Sequence, residues 1–445
     1  MQPNDKDGVA VGLLGCGTVG TGVARILAEN REVIESRLGG PLYVAAAADL
    51  DPGREKDIPL PRGRFTTDAF SVVNDPAIPV VVELIGGQGV ARELVMKALL
   101  AGKSVVTANK HMIAAHGPEI LAAAEKGGGD FLFEAAVGGC MPVIKTLRET
   151  LVGNRVESMY GILNGTCNYI LSRITFENLS FEEALAGAQA AGYAEADPSL
   201  DVDGWDTAHK LAIAASLAWG TRVDYKSLFV KGIRRITAMD IRFAETFGYR
   251  VKLLAIAKKA QGAVECRVHP TMIPMNNLLS QVNGAMNAFL IRSDRAGEIV
   301  LYGQGAGMMP TASAVVSDLV DVARNRAGAG SGGRVPVFSC QPGAMRDLPV
   351  LQADRVVTRY YVRFAAVDRP GVLSKLSGIL GEHGISISSV HQKGRHTEGP
   401  VPIVMLTHEA READMQKALT EISESLDVVT DKPVLIRIED DNPPE

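Results

Sequence analysis

Residues Val9–Leu14 form an apolar run that enters Gly15-Cys16-Gly17-Thr18-Val19-Gly20 without a break, and a helical pattern follows through Val23, Ile26, Leu27 and Ile34. Strand, GxGxxG and helix in direct succession constrain the fold more than any other stretch, because each glycine has its own task in a dinucleotide-binding βαβ unit. Gly15 permits the tight turn, Gly17 lets the backbone approach a pyrophosphate, and Gly20 lets helix and strand pack closely. The helix start at Thr18-Val19 offers unpaired N–H groups and a positive dipole end to phosphate. A second apolar run, 43–48, ends at Asp49, where a ribose 2′-hydroxyl would be bound. Arg54 could instead meet a 2′-phosphate, and a plain loop carboxylate is the alternative for Asp49.

Apolar strands at 80–85, 104–107 and 131–134 alternate with helical stretches at 90–101 and 120–126. That rhythm predicts a parallel sheet covered on both faces, with ligands at the carboxyl ends of its strands. Gly86-Gly87 and Thr107-Ala108-Asn109-Lys110 occupy such ends. His111 and His116 read as loop or helix-start residues. Glu134 is followed by a glycine-rich loop to Pro142, which looks like the first turn of a helix continuing through Leu151. Loop carbonyls beside Glu134 could form an oxygen-ligand cation site; a tight turn is the simpler reading.

The densest chemistry lies between Gly192 and Lys210. Glu195, Asp197, Asp201, Asp203 and Asp206 precede a helix that carries His209, Lys210 and the apolar run 211–215. The bland reading is helix caps and first-turn charges, above all for Asp203. The sharper one is a site for an ammonium group, with Lys210 facing the same cleft. Asp206 and Lys210 are four apart and share a helix face, and a lysine on a buried helix needs a partner or a task. His209 reads as a helix-side histidine without a catalytic role. A later glycine loop, 303–307, opens another helix and could place N–H groups against a ligand.

Other chemistries find little support. The chain has 445 residues and a net charge of −5, with no basic block, which argues against nucleic acid or an anionic membrane as the main partner. No apolar run reaches the ~18 residues of a membrane-spanning helix, and the polar N-terminus is neither a signal nor a transit peptide. Five scattered cysteines (Cys16, Cys140, Cys167, Cys266 and Cys340) without a CxxC pair read as reduced thiols in the cytoplasm. There is no nucleophile elbow and no Walker lysine loop.

Residues 327–334 read as a flexible loop, and a new rhythm follows. A strand at 361–367, a turn at Asp368-Arg369-Pro370-Gly371, a helix at 372–383, strands at 385–393 and 402–407, a helix at 409–426 and a strand at 434–438 spell βαββαβ, a ferredoxin-like unit. It carries no catalytic constellation, so binding is its expected task.

These motifs together resemble the homoserine dehydrogenase family of the long bacterial type with a C-terminal ACT domain. The resemblance rests on GCGTVG, the segments 83–87, 107–110 and 134–139, Gly192-Tyr193-x-Glu195-x-Asp197-Pro198, Asp206-x-x-x-Lys210-Leu211, Pro310-Thr311-Ala312-Ser313 and Asp368-Arg369-Pro370-Gly371. It implies an α/β architecture. Residues 1–140 would be a Rossmann-like nucleotide domain. Residues 141–326 would be an α+β catalytic and dimerisation domain whose last helix closes back on the nucleotide domain. A linker over 327–356 would lead to an ACT domain over 357–440.

It further implies NAD(P)-dependent interconversion of L-homoserine and L-aspartate 4-semialdehyde in threonine, methionine and isoleucine biosynthesis. Lys210 would be the proton donor and Lys110 the second active-site lysine. Glu195, Asp206, Asp201, Gly192 and Tyr193 would bind substrate. Gly15, Gly17, Thr18, Val19, Gly20, Asp49, Arg54, Gly86, Thr107, Lys110, Gly192 and Gly307 would bind cofactor. Glu134, Val137, Gly139 and Met141 would hold sodium. Where many members carry arginine before the aspartate ending the second strand, this chain has Ala48, so the balance tips only slightly to NADP, through Arg54 with Arg62 and Arg64 as compensating candidates farther along, and NAD stays open. The family implies a homodimer or a tetramer joined by ACT domains, with threonine as a feedback effector near Gly371. Another small amino-acid aldehyde or keto acid dehydrogenase, or a non-catalytic amino-acid sensor, are the alternatives.

Overall fold

The computed structural model describes residues 8–327, 335–339, 345–392, 400–425 and 427–440. All of the expected 327–334 loop but its first residue, and Cys340, lie outside these. The chain divides into two compact units: residues 1–157, 209–226 and 287–348 form the first, and 158–208, 227–286 and 349–445 the second. The division falls inside the helix Trp205–Trp219.

The first unit is built on a six-stranded parallel sheet in the order Arg64–Thr66, Leu42–Ala48, Val9–Leu14, Val80–Glu83, Ser104–Thr107, Phe131–Leu132. The order reverses at Val9–Leu14, so the crevice beyond its carboxyl end is the natural ligand position. Apart from the edge strand Arg64–Thr66, the strands are short apolar runs largely buried on both faces, as a sheet covered by helices requires. The helix Thr18–Glu29 packs against Met308–Ala327 because Gly22 removes the side chain at the crossing. A Cβ there would lie 3.0 Å from both Ala312 and Met308.

The stretch 120–126 is the end of a longer helix, Lys110–Gly127, which starts on an Asn109 cap and tolerates Pro118 inside. The helix expected after Pro142 forms, but as one α-turn, Val143–Lys145, followed by a π-turn, Thr146–Thr150. Strand 131–134 shortens to two residues, since Glu134 already turns into a 3₁₀ segment.

In the second unit the strands run Val156–Ile162, Tyr249–Ala260, Ala263–Pro274, Val434–Ile438, Val357–Ala366, Val401–Thr407, Ile387–Gln392. The last four, with the helices Val372–Glu382 and Glu412–Ser425, are the expected βαββαβ unit around its own apolar core. Its strand Val434–Ile438 pairs in parallel with Ala263–Pro274, Thr271 opposite Arg437 and Met272 opposite Ile438. The ferredoxin-like sheet therefore continues a neighbouring sheet.

Candidate active site

The three nucleotide-loop glycines are distinguishable. Gly15 has φ +94°, a conformation that disfavours any other residue, and a Cβ there would strike the Leu84 backbone. A Cβ on Gly20 would sit 2.0 Å from the Gly15 carbonyl oxygen. Gly17 has ordinary backbone angles, and its Cβ would meet no protein atom within 4 Å. The protein itself does not need glycine at 17, so the expected approach of a ligand to this loop is open to test at that position. Gly17→Ala should therefore leave the melting temperature within error and raise the dinucleotide KM by about tenfold or more. An unchanged KM would show that the loop is not approached closely.

Asp49 holds this loop in place. One carboxylate oxygen accepts from the Cys16 N–H at 2.7 Å, the other from the Asp51 N–H at 3.0 Å. It is thus a loop-ordering carboxylate in its own right, and a ribose hydroxyl would share oxygens already in use. The Cys16 thiol, pushed up to about 12 by burial and then by the Asp49 charge, is an unreactive packing group. Arg64 pairs with Asp75 at 2.8 Å and Arg62 lies over the Tyr43 ring. Arg54 remains exposed in the turn after the second strand.

Glu83 ties the next two strand ends together. Its carboxylate accepts from the Ile85 and Gly86 N–H groups, both at 2.9 Å, and from the Thr107 hydroxyl at 2.6 Å. Asn109 donates to the Gly87 carbonyl and caps the helix that Lys110 begins. Gly86 and Gly87 both have positive φ and open space beside them.

Lys110 is followed by His111, whose ring stacks on His209 at 4.8 Å, and His209 meets Tyr225 edge-on at 4.4 Å. The stack places the segments bearing Lys110 and Lys210 side by side. Burial first, then Lys110 and His116, keep His111 below the usual imidazole range, so its ring stays neutral at pH 7. Lys210 is buried on the Trp205–Trp219 helix.

The five carboxylates separate by role. Asp197 caps Ser199, and Asp203 pairs with Arg234 at 2.5 Å, so these two are structural. Asp206 is buried and Asp201 half-buried. Asn164 brings them together by donating one amide group to Asp201 at 2.6 Å and Asp206 at 2.9 Å. Thr166 reaches the Tyr193 carbonyl at 2.6 Å and Asp201 at 3.3 Å. Sequence reasoning missed Asn164 and Thr166, although Asn-Gly-Thr before a helix is a cap signature. Glu195 is exposed, and among the described residues its side chain makes no hydrogen bond to this cluster. Gly192 has φ +75°, and the exposed Tyr193 packs on Tyr169.

At the end of the nucleotide sheet, both oxygens of Glu134 accept N–H groups, from Ile144 and Lys145, each at 2.9 Å. Burial and then the Asp318 charge push this carboxyl up to about 8. Gly138 and Gly139 follow with positive φ, and Gly139 lies against the backbone of Gln304 and Gly305. Gly307, φ +122°, precedes the helix Met308–Ala327.

Comparison with known proteins agrees with this geometry. Residues 15–134 match the homoserine dehydrogenase NAD-binding domain profile, 142–320 the homoserine dehydrogenase profile, and 360–427 the ACT domain profile. The chain belongs to the homoserine dehydrogenase family. The homoserine dehydrogenase of Pseudomonas aeruginosa is 45% identical over 97% of this chain and 99% of its own. The crystal structure of that from Thiobacillus denitrificans matches with TM-score 0.92 and 45% identity, covering 97% of this chain and 98% of the other. A hyperthermophilic archaeal homoserine dehydrogenase in complex with NADPH matches with TM-score 0.60 and 27% identity, covering 71% of this chain and 97% of its own. The chain is thus an NAD(P)-dependent oxidoreductase with an ACT domain. Among the described residues no helix is long and apolar enough to cross a membrane.

Proposed function

We propose that Lys210 takes the hydroxyl proton as L-homoserine is oxidised, and returns it to the carbonyl oxygen in the reverse direction. With L-homoserine and NAD(P)⁺ consumed, the products are L-aspartate 4-semialdehyde, NAD(P)H and one proton, the dinucleotide supplying the two-electron acceptor. Negative charge develops on the substrate oxygen as electrons leave or arrive, and an ammonium there stabilises it. Lys110 is the second ammonium. The observation that carries this reading is the His111–His209 stack, which sets the two lysine segments side by side. Glu195 and Asp206 hold the substrate ammonium, with Asp201, which shares the Asn164 amide with Asp206, in support.

The cradle fits a dinucleotide because, of the three GxGxxG glycines, Gly17 alone is left open by the protein. Among the described residues Arg54, unlike Arg62 and Arg64, has no aromatic or distant partner, which favours NADP over NAD. Its nearest charge is Asp51, 3.6 Å away in the same turn. A sodium ion beside Glu134 would rest on the carbonyl oxygens of Val137, Gly139 and Met141, because the Glu134 carboxylate already caps a helix. Such an ion would order the loop and contribute no electrons. The enzyme is placed in the cytoplasm, in line with its scattered thiols. It assembles as a dimer, or as a tetramer in which ACT domains pair through the Ile387–Gln392 edge, since Ala263–Pro274 takes the opposite edge of the ACT sheet.

Homoserine oxidation at alkaline pH, followed at the reduced-nicotinamide absorbance with NADP and NAD side by side, tests the reading. Turnover with a higher kcat/KM for NADP, reduced by Arg54→Ala, is expected. A preference for NAD would give the cofactor site to Asp49.

A further inference from the structure

Glu83 is a buried carboxylate without a cation beside it. Its strand, Val80–Glu83, lies between Val9–Leu14 and Ser104–Thr107, with Glu83 opposite Leu14 on one side and Thr107 on the other. The residue is 0% exposed, yet among the described residues it forms no ion pair. Other buried carboxylates of this chain sit against guanidinium groups: Asp240 with Arg363, Glu412 with Arg437 and Glu439 with Arg267. Glu83 has neutral donors, the Ile85 and Gly86 N–H groups on one oxygen and the Thr107 hydroxyl on the other. The Thr107 oxygen accepts from the Asn109 N–H at 3.0 Å, which leaves its own hydrogen for Glu83. Every partner therefore donates, an arrangement suited to a carboxylate, which only accepts. The donors solvate the charge but do not cancel it, and a net negative charge remains at this strand end.

The place of that charge gives it a use. Asp49 follows the strand Leu42–Ala48, on the other side of Val9–Leu14, where the adenosine ribose of a dinucleotide is held. The nicotinamide half then falls across the switch point, over the ends of Val80–Glu83 and Ser104–Thr107. Hydride transfer changes the charge there, because the oxidised ring is a cation and the reduced ring is neutral.

We propose that the buried Glu83 charge discriminates between the two redox forms of the dinucleotide, favouring the oxidised, cationic ring over the reduced, neutral one. The inference rests on the dinucleotide crevice and not on the roles given to Lys110 and Lys210. A fixed charge in low-dielectric surroundings is weakly screened, so it acts on the ring without touching it. The same charge offsets the repulsion that ammonium groups at Lys110 and Lys210 would exert on the oxidised ring. The overall equilibrium in solution is fixed, so Glu83 changes only how tightly each form is held, by its differential interaction with the two.

Calorimetric titration of full-length wild type and Glu83→Gln with NADP⁺, NADPH and 2′-phospho-ADP-ribose, which lacks the nicotinamide, tests the proposal. The NAD series is used if NAD proves to be the coenzyme. Glutamine keeps the shape and an acceptor oxygen for the Ile85 and Gly86 N–H groups. Glu83→Gln should weaken NADP⁺ about fivefold or more relative to NADPH, and leave the nicotinamide-free fragment within about twofold. Equal weakening of all three would make Glu83 a mere organiser of the 85–87 loop, and an unchanged ratio of NADP⁺ to NADPH affinity would mean that its charge is not felt at the ring. Either result overturns the proposal. Should Glu83→Gln not fold, Ile85→Lys puts a cation at an exposed position two residues away and leaves Glu83 in place. Compared with Ile85→Met, it should move the ratio in the same direction, and no movement overturns the proposal. Turnover of Lys210→Ala is read separately, so failure of the proton-transfer assignment is distinguishable from failure of this one.

Discussion

Lys210→Ala should lower kcat for homoserine oxidation by about 10²–10⁴-fold, the usual worth of a positioned proton-transfer group. Dinucleotide affinity, read by quenching of reduced-nicotinamide fluorescence, should stay within about twofold, because the residue is not part of the nucleotide loop. Lys210 is buried in a helix whose following residues, Leu211, Ala212, Ile213, Ala214 and Ala215, are all buried as well. A charge kept in such surroundings is costly unless it is matched or used. Arginine at 210 should recover little activity, since a guanidinium remains protonated and cannot shuttle a proton near neutral pH. Lys110→Ala should be less damaging if Lys110 only adds positive field. Wild-type turnover in Lys210→Ala would remove the residue from the reaction altogether.

What the sequence made legible was whatever depends on local spacing. The GxGxxG loop, the parallel alternation and the βαββαβ tail could be read because a period of two or 3.6, or a glycine at a fixed offset, leaves a mark within a few residues. The tight turn at Gly15 and the close packing at Gly20 follow their offsets, and Gly17 is left open by the protein. Asn164 was not legible, because its partners lie 37 and 42 residues away and nothing in a sequence window links them. Glu83 opens a recognisable motif, but its role depends on Thr107, 24 residues on. The π-turn at 146–150 has no breaker residue to announce it. The pairing of Val434–Ile438 with Ala263–Pro274 was invisible for a different reason. An ACT-like sheet looks complete at four strands, and an edge strand with a partner reads the same as one without.

That seam supports the largest stability effect. The buried Glu439, next to the edge strand, accepts from Arg267 on Ala263–Pro274 and from Lys258 at 2.6 Å. Arg267 also binds Glu265 at 2.8 Å and lies 2.8 Å from the His269 ring. Glu439→Met should destabilise the protein by about 3–5 kcal/mol, read as a lower urea midpoint by circular dichroism, because it leaves Arg267 buried with an incomplete counter-charge. Arg267→Met with Glu439→Met should recover most of the loss, since a buried pair replaced by apolar residues of similar size costs little. The pH dependence has a definite sign. Burial alone would raise the Glu439 carboxyl, but Arg267 and Lys258 outweigh it and hold it below the usual carboxylate range. A carboxyl lowered by folding stabilises above its unfolded pKa, about 4.3, and that contribution disappears as pH falls through the folded value. The gap between wild type and Glu439→Met should therefore be full at pH 7 and shrink below about pH 4. A gap independent of pH would mean that Glu439 acts by packing alone, and an additive double variant would mean that it and Arg267 are not coupled.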